Sequence, residues 1–180
     1  MYIAQQLKEK NIAEYLIYMW QVEDLIRAND LDIEKVEQNI IAQYNGGDEL
    51  HSALKEWYEN LIGMMREEHV TETGHLQINK NIILTLTELH NKLLSSSEFP
   101  FYTSAYYKAL PFIVELRNKN SNKEEPELQT CFEALYGVML LRLQKKTISA
   151  ETLRAIDAIS SLLSLLANYY DKERKGELEL

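Results

Sequence analysis

The stretch Ser149–Tyr170, SAETLRAIDAISSLLSLLANYY, carries two apolar rows at helical spacing. Ile156, Ile159, Leu163, Leu166 and Tyr170 form one row, and Ala158, Leu162, Leu165 and Tyr169 form the second beside it. Recurrence at three and four residues marks one face of an α-helix. Only Ser160, Ser161, Ser164 and Asn168 relieve the apolar surface in its middle. A helix covered so widely is either central to its own bundle or shared with a partner chain. Ser149 is a suitable N-cap, and Glu151 falls in the first turn, where the helix dipole favours a carboxylate.

The same period extends back to Ile12, broken where Gly, Pro, Asn or Ser cluster, and it divides the chain into seven helical segments. The first runs from about Ile3 to Ala28 on Ile12, Tyr15, Leu16, Met19, Val22 and Ile26, widened by Tyr18 and Trp20. Asp32 caps the second, with Leu31 and Val36 placed as a hydrophobic staple, and this helix reaches about Tyr44. Asn45-Gly46-Gly47 is the clearest break, where glycine permits a left-handed turn and Asp48 can cap the third helix. That helix follows Leu50, Leu54, Trp57, Leu61 and Met65 to about Val70, with Gly74 as its stop. The fourth carries Ile78, Ile82, Leu86, Leu89 and Leu93 and frays into Ser95-Ser96-Ser97. Phe99-Pro100-Phe101 turns the chain, Thr103 is placed to cap the fifth helix, and Pro111 should kink or restart it. Asn118 to Glu125 reads as a mobile polar loop, after which Pro126 opens the sixth helix.

Composition narrows the function classes. The chain has 180 residues, 46% hydrophobic and 26% charged, which suits one helical domain with a single core. Its net charge of −9 disfavours a phosphate backbone, and its basic residues are scattered, so nucleic acid is not an expected partner. No apolar run approaches the roughly 20 residues that a membrane-spanning helix needs. The early polar residues of Met1 to Asn11 do not resemble a signal peptide, so the expected location is the cytoplasm. Cys131 is the single cysteine and lies on an apolar helical stretch, where a free thiol is usually a small core residue.

No motif in the chain requires a particular chemistry. A di-metal carboxylate bundle needs two Glu-x-x-His pairs and two further inward carboxylates. Here Glu72 and His75 form one such pair at a helix end, and Asp48 with His51 is a looser second. Neither a metal nor another cofactor is expected. His51 and His75 read as solvated residues near loops, and His69 as part of an outer face. His90 differs, because Leu86, Thr87, Leu93 and Leu94 surround it at helical spacing and place it at the edge of a buried stripe. There is no nucleophile elbow, no phosphate-binding glycine loop and no acid–base carboxylate pair.

Tyrosine is over-represented, eleven against four phenylalanines, with Tyr106-Tyr107 and Tyr169-Tyr170 as pairs. Adjacent helical positions lie about 100° apart, so one ring of each pair can turn inward while the other meets the surface.

The opening stretch IAQQLKEKNIAEYLIYMWQVEDLIR, residues 3–27, resembles a bacterial family of the Bacteroidetes catalogued only as a domain of unknown function. The resemblance implies a cytoplasmic bacterial protein of one helical domain, about the length of this chain, and carries no activity or site residue.

The expected architecture is all-α: six or seven helices in an irregular bundle, one domain over residues 1–180, with a frayed tail from about 175. The leading functional expectation is a non-enzymatic interaction or assembly protein, homodimeric through Leu162, Leu165, Tyr169 and Tyr170, or joined to a protein partner. The alternative is a bundle enclosing a small apolar or amphipathic ligand, with enzymatic activity left open. His90, Tyr107 and Pro111 are then the cavity candidates, because a kinked helix leaves room beside it.

Overall fold

In the computed structural model, which describes residues 2–119 and 126–178, the regular structure is helical throughout. Eight α-helices and a short 3-10 turn occur among the described residues, more than the six or seven expected. They are α1 (Tyr2–Lys10), α2 (Ile12–Ala28), α3 (Ile33–Asn39), α4 (Asp48–Glu67), α5 (Gln77–Ser95), α6 (Pro100–Lys119), α7 (Glu127–Leu143) and α8 (Ala150–Arg174).

The extra helix comes from a break at Asn11. Its side-chain oxygen accepts from the Ala13 backbone N–H at 3.0 Å, so Asn11 starts a new helix where an uninterrupted one was expected. Asparagine does this readily because its short amide competes with the helical backbone for hydrogen bonds. At the second cap the expectation holds, since the Asp32 side chain accepts from Glu34 N and Lys35 N. Helix α3 ends early at Asn39, and the chain continues as the 3-10 turn Ile41–Gln43.

Asn45-Gly46-Gly47 separates two helices for a reason other than the left-handed turn anticipated. Gly47 is the N-cap of α4 with φ −76°, and Asp48 is the first helical residue rather than the cap. Gly46 lies close to Leu50: a Cβ there would be 2.2 Å from Leu50 Cδ2, so that side chain would have to move aside. Left-handed geometry appears later, at His69 (φ 56°) and Gly74 (φ 88°), after α4 has already ended at Glu67.

The chain groups into two compact units. One comprises Met1–Lys10 and Glu14–Asn81, the other Asn11–Ala13 and Ile82–Leu180. In the first, Leu16, Met19, Trp20 and Ile26 are buried with Val36, Leu54, Tyr58 and Met65. Leu54, Leu61 and Met65 are buried as expected, while Tyr58 takes the inward place expected of Trp57, which is half-exposed. In α5 Leu86, Leu89 and Leu93 are buried as expected, but at its start Asn79 and Ile83 are buried while Ile78 is exposed.

In the second unit α6 packs most extensively on α8, and α7 packs on both. Pro111 lies within α6, which runs on through it, and Thr103 is an interior residue rather than a cap. The ring is exposed, so the missing N–H and the carbonyl of Tyr107 fall on the outer side of the helix. Ser149 caps α8 as expected, accepting from Thr152 N at 3.1 Å. Ile159, Leu162, Leu163 and Leu166 are fully or nearly fully buried. At the far end Gly176 is left-handed, and Gly176 N and Glu177 N bond back to the carbonyls of Glu173 and Lys172. The polar loop expected from Asn118 to Glu125 falls largely outside the described residues; Asn118 and Lys119 belong to α6.

Candidate functional site

Buried polar groups are the first place to look for chemistry, because burial is costly unless something is gained. Glu23 on α2 has no exposed surface. Its Oε1 accepts from Leu76 N at 2.9 Å and from Asn79 Nδ2 at 2.7 Å, and its Oε2 accepts from His75 Nδ1 at 2.6 Å. His75 lies flat on Trp20, ring centroids 4.0 Å apart and planes 11° from parallel. His75 is therefore not the solvated loop residue that its sequence neighbourhood suggests.

Four residues after Glu23, one turn along the same helix, Arg27 reaches the same connection. Its guanidinium donates to the carbonyls of Val70 and Gly74 and to Asp24. Helix α2 thus holds both ends of the 70–76 segment and the start of α5. A carboxylate-held imidazole is the geometry of a general base, yet among the described residues His75 has no partner other than Glu23 and the Trp20 ring. The arrangement anchors a connection between helices.

The second unit has its own polar cluster. His90 is buried, and its Nδ1 and the Tyr102 hydroxyl share a hydrogen bond at 2.5 Å. Tyr106 sets its ring edge-on to His90, centroids 5.1 Å apart, and its hydroxyl donates to Glu127 Oε2 at 3.0 Å. Burial pushes the imidazole below its ordinary value, against a raising pull from Glu127. Burial likewise drives the Tyr102 hydroxyl far up and the Tyr106 hydroxyl up to about 12. Cys131 has no exposed surface, and its thiol is pushed up to about 12, chiefly by burial. Such a thiol is a core residue rather than a nucleophile.

The three cavity candidates do not converge. His90 is enclosed by Tyr102 and Tyr106, Tyr107 is 64% exposed beside the Leu94–Ser97 segment, and Pro111 is exposed. Tyr106 and Tyr107 divide as the pair geometry suggests, one ring turned inward and the other outward. No group of three or more His, Cys, Asp or Glu side chains that could hold a metal occurs among the described residues. Glu72, paired with His75 in the sequence, has no part in the Glu23 contact.

The interface candidates occupy different environments. Leu162 is fully buried within the chain. Tyr169 packs edge-on against Phe99 and Tyr102, centroids 5.2 and 5.9 Å away, and Tyr170 is half-buried. Leu165 faces outward, into an open groove of about 550 Å³ between α6 and α8. Phe101, Ser104, Ala105 and Lys108 line it from α6, and Asp157, Ala158 and Ser161 join Leu165 from α8. The spacing of the α6 residues is that of one helix face. Phe101 is 81% exposed, the most exposed large apolar side chain among the described residues. Phe101, read in the sequence only as part of a turn, and the charged pair Lys108 and Asp157 were not anticipated; Leu165 was.

Residues 1–177 match the family of unknown function DUF4924, and the chain belongs to that family. No curated protein and no solved structure matches it. No helix of the described residues is long and apolar enough to cross a membrane.

Proposed function

We propose that this DUF4924 chain is a non-enzymatic assembly protein that forms a twofold homodimer through the outer α6–α8 groove. One observation carries the reading: the groove sets an exposed Phe101 beside a floor of small residues, Ser104, Ala105, Ala158 and Ser161, and bears one charge of each sign. Small residues let a second helix approach closely, and the phenyl ring supplies the apolar anchor typical of an interface centre.

The charges favour a second copy over an unrelated partner. Neither Lys108 nor Asp157 has an ion pair among the described residues. In a twofold contact the same patch meets itself, so each Lys108 can face the other copy's Asp157, and the pair is made twice. The bacterial and cytoplasmic setting implied by the N-terminal resemblance belongs to the same proposal.

Sedimentation velocity between about 1 and 200 µM tests it. The expected species has twice the 21.0 kDa chain mass. Lys108→Glu and Asp157→Lys should each weaken dimerisation by about tenfold or more, since like charges then meet across the axis. Mixing the two variants should restore the dimer, because the mixed pair regains both opposite-charge contacts. Phe101→Ser, at a position too exposed to matter for folding, should leave a folded monomer. A wild-type monomer throughout the range overturns the proposal, as does a dimer indifferent to Phe101→Ser.

A further inference from the structure

A second groove, distinct from the dimer surface in its residues, lies where the C-terminal half of α6 meets α7 and the start of α8. Its volume is about 470 Å³, within the range of small-molecule sites. Phe112, Leu116, Val138, Leu141 and Ile156 make it apolar. Three helices each bring one carboxylate to it: Glu115 from α6, Glu133 from α7 and Glu151 from α8.

Charge and shape both point to a ligand. Among the described residues Lys119 is the one cation lining the groove, and its ammonium is paired with Glu115 at 2.5 Å and lies within the field of Glu151. Glu133 accepts from the Gln129 amide, and neither Glu133 nor Glu151 has an ion pair among the described residues. The lining is therefore apolar with a net negative charge.

Gly137 adds to the room in the groove. It lies inside α7, where glycine costs about 0.5–1 kcal/mol relative to alanine. Its backbone is not left-handed, and a Cβ placed there would meet nothing within 4 Å. Neither backbone conformation nor packing within the chain calls for glycine at this position. Its missing side chain leaves open space in the groove.

We propose that this groove binds a small amphipathic cation, a primary or quaternary amine with an apolar body of roughly eight to twenty heavy atoms. The body lies on the apolar residues and the cationic head sits among Glu133, Glu151 and the Glu115–Lys119 pair. A carboxylate-headed chain of the same length is repelled, and a neutral one loses the charge contact.

Calorimetric titration of the full chain with octylammonium, octanoate and 1-octanol, each below its aggregation threshold, tests this. Octylammonium should bind once per chain, about tenfold or more tighter than octanol, with octanoate weaker still. Gly137→Leu should abolish that binding by occupying the space while leaving the chain folded, since leucine is the better helix former. Should that variant misfold, the surface double variant Glu133→Gln/Glu151→Gln serves instead, and it should erase the preference for octylammonium over octanol. Equal or tighter binding of octanoate overturns the proposal. So does unchanged octylammonium binding in Gly137→Leu, or no saturable octylammonium binding by the wild-type chain.

Discussion

Glu23 and His75, 52 residues apart in the chain, meet at 2.6 Å between Oε2 and Nδ1, with the carboxylate fully buried and the imidazole partly exposed. The remaining oxygen of Glu23 takes the Leu76 N–H and the Asn79 amide, so three donors converge on one carboxylate. Hydrogen bonds to an ionised acceptor are stronger than neutral ones, and this set fixes where α5 begins. Glu23→Gln keeps the shape but turns an amide NH₂ toward one of those donors. It should destabilise the chain by about 2–3 kcal/mol, read as a lower urea midpoint. A change below about 0.5 kcal/mol would mean that the contact contributes nothing net.

The two glycines at 46 and 47 should respond in opposite directions. Gly46→Ala pushes a Cβ into Leu50 and should cost about 1 kcal/mol. Gly47 has open space around it, an extended backbone at φ −76° and ψ 176°, and caps α4 without a side chain. Gly47→Ser adds a capping hydroxyl and restricts the unfolded chain, for a gain of about 0.5 kcal/mol. Thermal unfolding of both variants decides it.

His90 sets a pH dependence. Its buried imidazole takes up a proton less readily than it would in the unfolded chain, whose ordinary value is 6.5. Between those two values the unfolded state binds more protons, so stability is full above about pH 6.5 and declines as the pH falls below it. His90→Gln, which can still bond the Tyr102 hydroxyl, should flatten that decline in urea titrations run at successive pH values. An acid limb identical in the two proteins would assign the dependence to other groups.

Cys131 should be silent toward thiol reagents in the folded protein. With the thiol enclosed and pushed up to about 12, labelling at pH 8 requires opening of the second unit. The rate should be about a hundredfold or more below that of the unfolded chain, and denaturant should accelerate it along the unfolding transition. Rapid native labelling would show that the α7 core opens easily.

Much of the architecture was readable from the residues themselves. The 3.6 period, the caps at Asp32 and Ser149 and the burial of Cys131 depend on neighbours within a turn or two, so the local chain encodes them. Leu162 and Leu165 share one apolar row in the sequence, and only the fold separates them, Leu162 buried and Leu165 lining the open groove. The exposure of Phe101 was not legible either, because a residue beside a proline looks the same whether its ring ends buried or 81% exposed.

By itself, then, the sequence determined that the chain folds as helices, roughly where most of them start, and that its single thiol is a core group. Tertiary structure alone decided the facing of the start of α5, with Asn79 inward and Ile78 outward, the joining of Glu23 to His75, and the placing of Lys108 and Asp157 along one groove. The physical reason is range. A helical period sets which residues can share a face, but a buried polar group takes whichever partner the packing of distant segments brings within hydrogen-bonding reach.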